Sequence, residues 1–322
     1  VQLPEVQTAH NTVARLILAS ANPYSTPENP VPAIGTLLLT YPRFIHSELM
    51  TYREWSRNAA SSRAIPIETV IAQVRENPAI PVYFTGRKKG MGGDETSEIV
   101  SSPSFQQARR EAWIKQANLA ADYAEREAKQ GASKQEINRA LEPYMWMQTI
   151  VTATAWRNML RQRLSPAAQP DFRMLALAIG ILLAREPLRP IDKDEWHLPY
   201  IDGLDDGSDW RDGSWFETRR LSIEDRLGVS AGRLGRVTFY QRGVVDDVPA
   251  DLARGRAHKT NGHWSPWEHA AKPLPVAEKQ GGNLTGWLQA RRYIAPETEA
   301  GNGPYNPAED CELIGDVIKN GW

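Results

Sequence analysis

The chain reads as a protein of mixed strands and helices. Three observations carry that reading. Two apolar runs rich in branched residues lie near the start, several segments between residues 104 and 183 repeat at helical spacing, and a polar, aromatic-rich region follows residue 187. At 322 residues, with 41% hydrophobic and 24% charged side chains, the chain is long enough to bury a substantial core.

Residues 13–18 and 36–40 predict strands, separated by a loop rich in Pro, Asn and Ser over 22–32. A polar, Arg-bearing stretch covers 47–63. Pro78, Pro81, Gly86, Gly90, Gly92 and Gly93 then mark an irregular loop around Arg87-Lys88-Lys89. Ser104 is placed to cap a helix running to about residue 130, with Phe105, Ala108, Ala112, Leu119 and Tyr123 on one side. Ser133 and Glu136 have capping-box spacing and open another helix. A helix is predicted over 147–164. After Pro166 and Pro170 comes one more, with Phe172, Leu175, Ile179, Leu182 and Leu183 facing the core. Residues 187–215 lack periodicity and predict a long surface loop or a boundary. A strand is expected near 236–241 and a short helix near 309–319. The expected organisation is a core over 1–190, a connecting segment over 191–224, and a C-terminal part over 225–322.

Several function classes are disfavoured. The formal net charge of −1 gives no global pull toward nucleic acid or anionic membrane. The single cysteine, Cys311, rules out an intramolecular disulfide and a Cys-rich zinc site. Its acidic neighbours, Glu309, Asp310 and Glu312, disfavour the thiolate a nucleophile needs. No run approaches the length of a membrane span, and Val1-Gln2-Leu3-Pro4-Glu5 lacks the character of a signal peptide, so a reduced cytoplasm is the expected compartment.

Four clusters bear on chemistry. Arg53, Ser56, Arg57, Asn58, Ser61, Ser62 and Arg63 offer guanidinium, hydroxyl and amide groups suited to a phosphate and a base edge; the same run also reads as a solvated turn with helix caps. Arg157, Asn158, Arg161 and Arg163 end a predicted helix, where arginine also serves the helix dipole. The pair His263 and His269 lacks helical ligand spacing and is interrupted by Pro266, so no metal site is expected; a loop presenting His263 and Ser265 to a ligand fits better. Gly90-Met91-Gly92-Gly93 lacks both the Walker spacing and a Gly-x-Gly-x-x-Gly fingerprint, and reads as a mobile loop.

These segments carry a family resemblance. Thr51-Tyr52-Arg53-Glu54-Trp55-Ser56-Arg57-Asn58-Ala59-Ala60-Ser61-Ser62-Arg63 resembles the pattern R-H-R-x-x-S-x-N-x-x-S-x-R of flavin-dependent thymidylate synthases, departing from it at Thr51 and Tyr52. Pro42-Arg43-Phe44-Ile45-His46-Ser47-Glu48 resembles the lead into that motif. Leu141-Glu142-Pro143-Tyr144 and Trp156-Arg157-Asn158-Met159-Leu160-Arg161-Gln162-Arg163 resemble a second signature, with Thr152 and Thr154 where the family has Asn and Arg. His263-Trp264-Ser265-Pro266-Trp267-Glu268-His269 resembles H-x-[ST]-P-F-E-H, preceded by Gly235-Arg236-Val237-Thr238-Phe239. In the family these last two segments come before the Arg-rich motif, so the order here looks circularly permuted, as in viral members.

The resemblance implies an α+β fold with a central, mostly antiparallel sheet and packed helices. It implies FAD as cofactor, methylenetetrahydrofolate as carbon donor, NADPH as reductant, and a homotetramer. The implied reaction is one-carbon transfer to C5 of dUMP. Hydroxymethylation of dUMP or dCMP, and a non-catalytic nucleotide- or flavin-binding role, stay open beside it. The pyrimidine nucleotide would be bound by Glu48, Ser61, Arg63, Arg139 and Arg163, with Arg163 also the catalytic charge stabiliser. FAD would be held by Arg53, Asn158, Thr238, His263 and Ser265. Neither a membrane nor direct contact with nucleic acid is expected.

Overall fold

The computed structural model describes residues 3–86, 101–201, 218, 220–238, 246–279 and 282–294. Its centre is a five-stranded, wholly antiparallel sheet in the order β1-β2-β3-β5-β4, comprising β1 (Glu5–Gln7), β2 (Val13–Ser20), β3 (Ile34–Pro42), β4 (Ser56–Ala59) and β5 (Trp146–Ala153). The fold is α+β, with an antiparallel sheet and packed helices.

Side-chain alternation along the strands sorts the two faces. On one, Leu37, Leu39, Tyr41, Met147, Val151 and Ala153 join a core with α6 (Pro170–Arg185), through Phe172, Leu175, Ile179 and Leu182. At the rim of the sheet, α2 (Ile67–Glu76), α3 (Pro103–Lys129) and α4 (Lys134–Leu141) form a second core around Val70, Val74, Ala121, Ile137 and Leu141. The opposite face, bearing Thr36, Thr152 and Asn58, meets His197 and the C-terminal elements α7 (Ile223–Thr238), α8 (Val248–Thr260) and a 3-10 turn (Ser265–Glu268). A two-stranded ribbon, β6 (Ala271–Pro273) with β7 (Trp287–Gln289), and the short α9 (Ala290–Ile294) complete this part.

Four expectations need correction. Residues 147–153 form a strand, and only Trp156–Arg163 (α5) is helical. Both faces of β5 are covered, so its residues do not alternate apolar with polar in the way that marks a half-buried strand. The segment near 236–241 is helical through Thr238, and the remainder lies outside the described residues. The long helix is capped by Ser102, whose hydroxyl accepts from Phe105 N, and it buries Ala117, Ala121 and Ala124 while Leu119 and Tyr123 face solvent. Residues 187–201 are not simply a surface loop, because Trp196, His197, Leu198 and Ile201 are buried. The loop around Arg87–Gly93, the region near 309–319 and Cys311 lie outside the described residues.

The pairing of α7 with α8 depends on glycine. A β-carbon on Gly232 would collide with the Asp251 carbonyl oxygen, and one on Gly255 with that of Gly228. The backbones therefore approach more closely than any larger residue permits. At this crossing Asp251, fully buried, takes Arg233 (3.0 Å), Arg254 (2.6 Å) and Arg236 as ion-pair partners.

Candidate functional site

The strand β4 is the hinge of the site, because both halves of the chain meet on it. Asn58 is buried and faces the C-terminal part. In the amide orientation that satisfies its neighbours, its nitrogen donates to His269 Nε2 (3.3 Å) and the Ser265 carbonyl (3.1 Å), and its oxygen accepts from Thr238 Oγ1 (2.9 Å). Next along the chain, the Ser61 N–H donates to the Thr238 carbonyl at 3.2 Å. Thr238 and Ser265 are thus brought together around one residue of the Arg-rich motif.

From Asn58 a hydrogen-bonded line crosses beneath the sheet. His269 Nδ1 meets Thr152 Oγ1 at 2.8 Å, Thr152 meets Thr36 Oγ1 at 2.6 Å, Thr36 meets His197 Nε2 at 2.8 Å, and His197 Nδ1 meets Ser20 Oγ at 2.9 Å. With His269 Nε2 accepting from Asn58, every proton can point the same way, toward Ser20. Burial pushes both imidazoles down to about 3, so they are neutral in the folded chain. The line satisfies polar groups that would otherwise be stranded between the sheet and the C-terminal part.

Where β4 runs out, the chain forms a polar cleft of about 320 Å³, lined by Arg43, His46, Ser61, Ser62, Arg63, Arg139 and Glu142 among others. Three of the expected substrate residues, Ser61, Arg63 and Arg139, therefore share one cavity. Local packing explains the gathering. Asn138 of α4 donates to the carbonyls of Ser62 (2.8 Å) and Ile65 (3.0 Å), tying the helix that bears Arg139 to the segment that bears Arg63. Glu142 accepts from Ser62 Oγ (2.7 Å) and pairs with Arg43 (2.8 Å). The Arg63 guanidinium makes no hydrogen bond or ion pair among the described residues, and the Arg139 side chain reaches only the Gln135 carbonyl. One carboxylate thus faces three guanidinium groups, an imbalance that favours an anionic ligand.

Glu48 and Arg163 form their own group. Arg163 Nη1 pairs with Glu48 Oε2 at 2.9 Å, its Nε donates to Tyr52 Oη at 2.8 Å, and its carbon Cζ lies 4.5 Å from the Phe172 ring centre. The guanidinium is held in one orientation by three side chains, Glu48, Tyr52 and Phe172. The remaining flavin candidates are dispersed. Arg53 is exposed after the short helix α1 (His46–Leu49), Asn158 is exposed on α5, and His263 is exposed ahead of the 3-10 turn, its ring 6.2 Å from that of His258. Arg157 and Arg161 border an apolar groove of about 690 Å³ between α5 and α6. Among the described residues, no group of three or more His, Cys, Asp or Glu is placed to hold a metal ion, and no helix is long and apolar enough to cross a membrane.

Sequence reasoning gave no role to Arg43, His46 or Glu142. Arg43 and His46 lie within the segment that resembles the lead into the Arg-rich motif, and Glu142 within the second signature, but no spacing signals that they share a cavity.

Fold and cleft together define an α+β protein with a cationic cleft at the edge of an antiparallel sheet. No family model matches the chain, and no curated protein does. Among solved structures, it is similar to the crystal structure of a UMP/dUMP methylase, PolB from Streptomyces cacaoi, bound with 5-Br UMP. The TM-score is 0.39 at 16% identity, covering 56% of this chain and 92% of that one.

Proposed function

We propose that the chain is a flavin-dependent enzyme that transfers a one-carbon unit from methylenetetrahydrofolate to C5 of dUMP, in the manner of the thymidylate synthases its motifs resemble. The observation that carries this reading is the cleft joining Ser61, Arg63 and Arg139, in which Arg63 makes no hydrogen bond or ion pair among the described residues and Arg139 reaches only a backbone carbonyl. A nucleotide phosphate would occupy it, accepting charge-assisted bonds from Arg63 and Arg139 and one from the Ser61 hydroxyl.

Adding carbon at C5 raises negative charge on the ring oxygens. Arg163 supplies a fixed positive charge for that task. Its Nε and Nη1 are engaged by Tyr52 and Glu48, which leaves Nη2 for the base. Glu48 and Tyr52 act as positioning residues for that guanidinium.

The flavin candidates fit the cofactor in their donor chemistry. Arg53, Asn158 and His263 present a guanidinium, an amide and an imidazole at the surface, while Thr238 and Ser265 build a wall against Asn58. They lie on separate elements, which suits a cofactor held where copies of the chain meet, in a homotetramer with one site completed by residues 35–63 and 225–292. When bound, reduced flavin would supply the redox chemistry and carry the methylene group, with NADPH as reductant.

Titration with FAD, followed by absorbance and fluorescence, tests the cofactor. No binding at tens of micromolar, about 6 kcal/mol of affinity, would sink the enzyme reading. A folate-supplied reaction with dUMP, read by mass spectrometry, then identifies the product. Arg63→Ala is expected to weaken dUMP binding roughly 10- to 100-fold, the worth of a charge-assisted bond, while leaving the melting temperature unchanged. Unchanged dUMP affinity would remove the cleft from the nucleotide site.

A further inference from the structure

His46 lines the cleft beside Ser61, Arg63 and Arg139. Its Nδ1 is taken by the Tyr41 hydroxyl at 2.8 Å, and that hydroxyl also meets Thr149 Oγ1 at 2.6 Å. Nε2 makes no hydrogen bond among the described residues. An imidazole anchored through one nitrogen and open at the other is a prepared ligand contact.

We propose that His46 touches the ligand phosphate in this cleft, donating from Nε2 to a phosphate monoester oxygen and taking up a proton from solvent as the dianion enters. The inference rests on the nucleotide reading above and adds a residue to it.

The hydroxyl pair behind the ring can turn to meet either charge state at Nδ1. For the neutral ring, Tyr41 donates to Nδ1, Thr149 donates to Tyr41, and the proton sits on Nε2. For the cation, Nδ1–H donates to Tyr41 and Tyr41 donates to Thr149. The neutral arrangement uses every proton of the pair. In the cation the buried Thr149 hydroxyl accepts from Tyr41 and its own proton has no acceptor among the described residues, a cost the incoming dianion must offset. The groups around the ring are Arg43, Arg57, Arg63 and Arg139, the carboxylate of Glu142, and Tyr41. Burial first, then the charges of Arg43 and Arg57, hold His46 down at about 4 in the free chain, partly opposed by Glu142. A phosphate dianion among those guanidinium groups reverses the balance and raises the imidazole. The sign follows from linkage. A group whose value is higher in the complex than in the free chain strengthens binding as pH falls from the bound value toward the free one.

The test is calorimetry of dUMP binding to the full chain, in buffers of different ionisation enthalpy, near pH ~7, above the second phosphate ionisation at about 6. Wild type should take up protons on binding. His46→Gln should lose that uptake and about tenfold in dUMP affinity, with deoxyuridine affinity the same in both proteins. The phosphate's own ionisation cancels in the comparison. As a second measurement, ring ¹⁵N spectra of wild type titrated with inorganic phosphate should show His46 Nε2 shifting at saturation. Equal proton uptake and affinity in wild type and His46→Gln would overturn the assignment, and the nucleotide reading would survive if dUMP still binds and depends on Arg63. Should the variant fail to fold, a His46 ring unmoved by saturating phosphate overturns it instead. If dUMP binds to neither protein, the nucleotide reading falls and His46 falls with it.

Discussion

Asp251→Ala is expected to destabilise the chain by about 3–5 kcal/mol, the cost of removing one partner from a buried ion-pair cluster. Asp251 is completely buried on α8 and serves Arg233, Arg236 and Arg254 at once. Arg233 is itself almost fully buried and depends on Asp251, Asp246 (3.3 Å) and the Tyr200 carbonyl (2.7 Å). Without Asp251, positive charge is left in low dielectric with too little to balance it. The crossing of α7 and α8 offers no room to relax, since Gly232 already abuts the Asp251 backbone. Urea unfolding followed by tryptophan fluorescence measures the loss, and thermal melting should fall by about 10 °C. Asp251→Asn, which keeps shape and some hydrogen bonding, should fall between wild type and alanine. A loss below about 1 kcal/mol for alanine would mean the cluster contributes no more than a surface pair. Because α7 carries Thr238 onto Asn58 and Ser61, damage here should also loosen the candidate site.

Arg163→Ala is expected to lower kcat/KM on dUMP at least 100-fold, roughly 3 kcal/mol of transition-state stabilisation, with FAD binding retained. The guanidinium has a structural role too, because it covers Phe172 and pairs with half-buried Glu48. Alanine alone leaves that carboxylate without its partner. The double variant Arg163→Ala with Glu48→Gln removes this penalty, so it should recover stability without recovering turnover. A single variant that keeps more than about a tenth of the wild-type rate would show that Arg163 does not hold the base. If the double variant recovers both stability and turnover, the residue's role is packing.

Much of the N-terminal half is legible in its amino-acid pattern. The branched apolar runs of β2 and β3, the Ser133 start of α4 and the apolar spacing of α6 each follow from local chemistry, and each forms as expected. Ser61, Arg63 and Arg139 stand out by residue type and family resemblance, although their shared cavity does not. Legibility fails where burial is most complete. Helix α7 buries every residue from Leu227 to Gly235, including Ser230 and Arg233, so no polar face marks its period. Its glycines read as breakers unless the α8 backbone is known to lie against them. Similarly, β5 is covered on both sides and loses its alternation.

What the sequence by itself determined about this protein is its inventory: a mixed α+β chain, the amphipathic helices, and a concentration of arginine, serine and asparagine in a few segments. Only the tertiary structure decided which of them meet. It placed Thr238 and Ser265 on Asn58, with 180 positions separating Asn58 from Thr238. It threaded two neutral histidines between the sheet and the C-terminal part, and it turned His46 into the cleft that Arg63 also lines. The physical reason is range. Period and capping act over a few residues along the chain, whereas the charge balance of a cavity and the pairing of a buried polar group depend on neighbours that folding alone supplies.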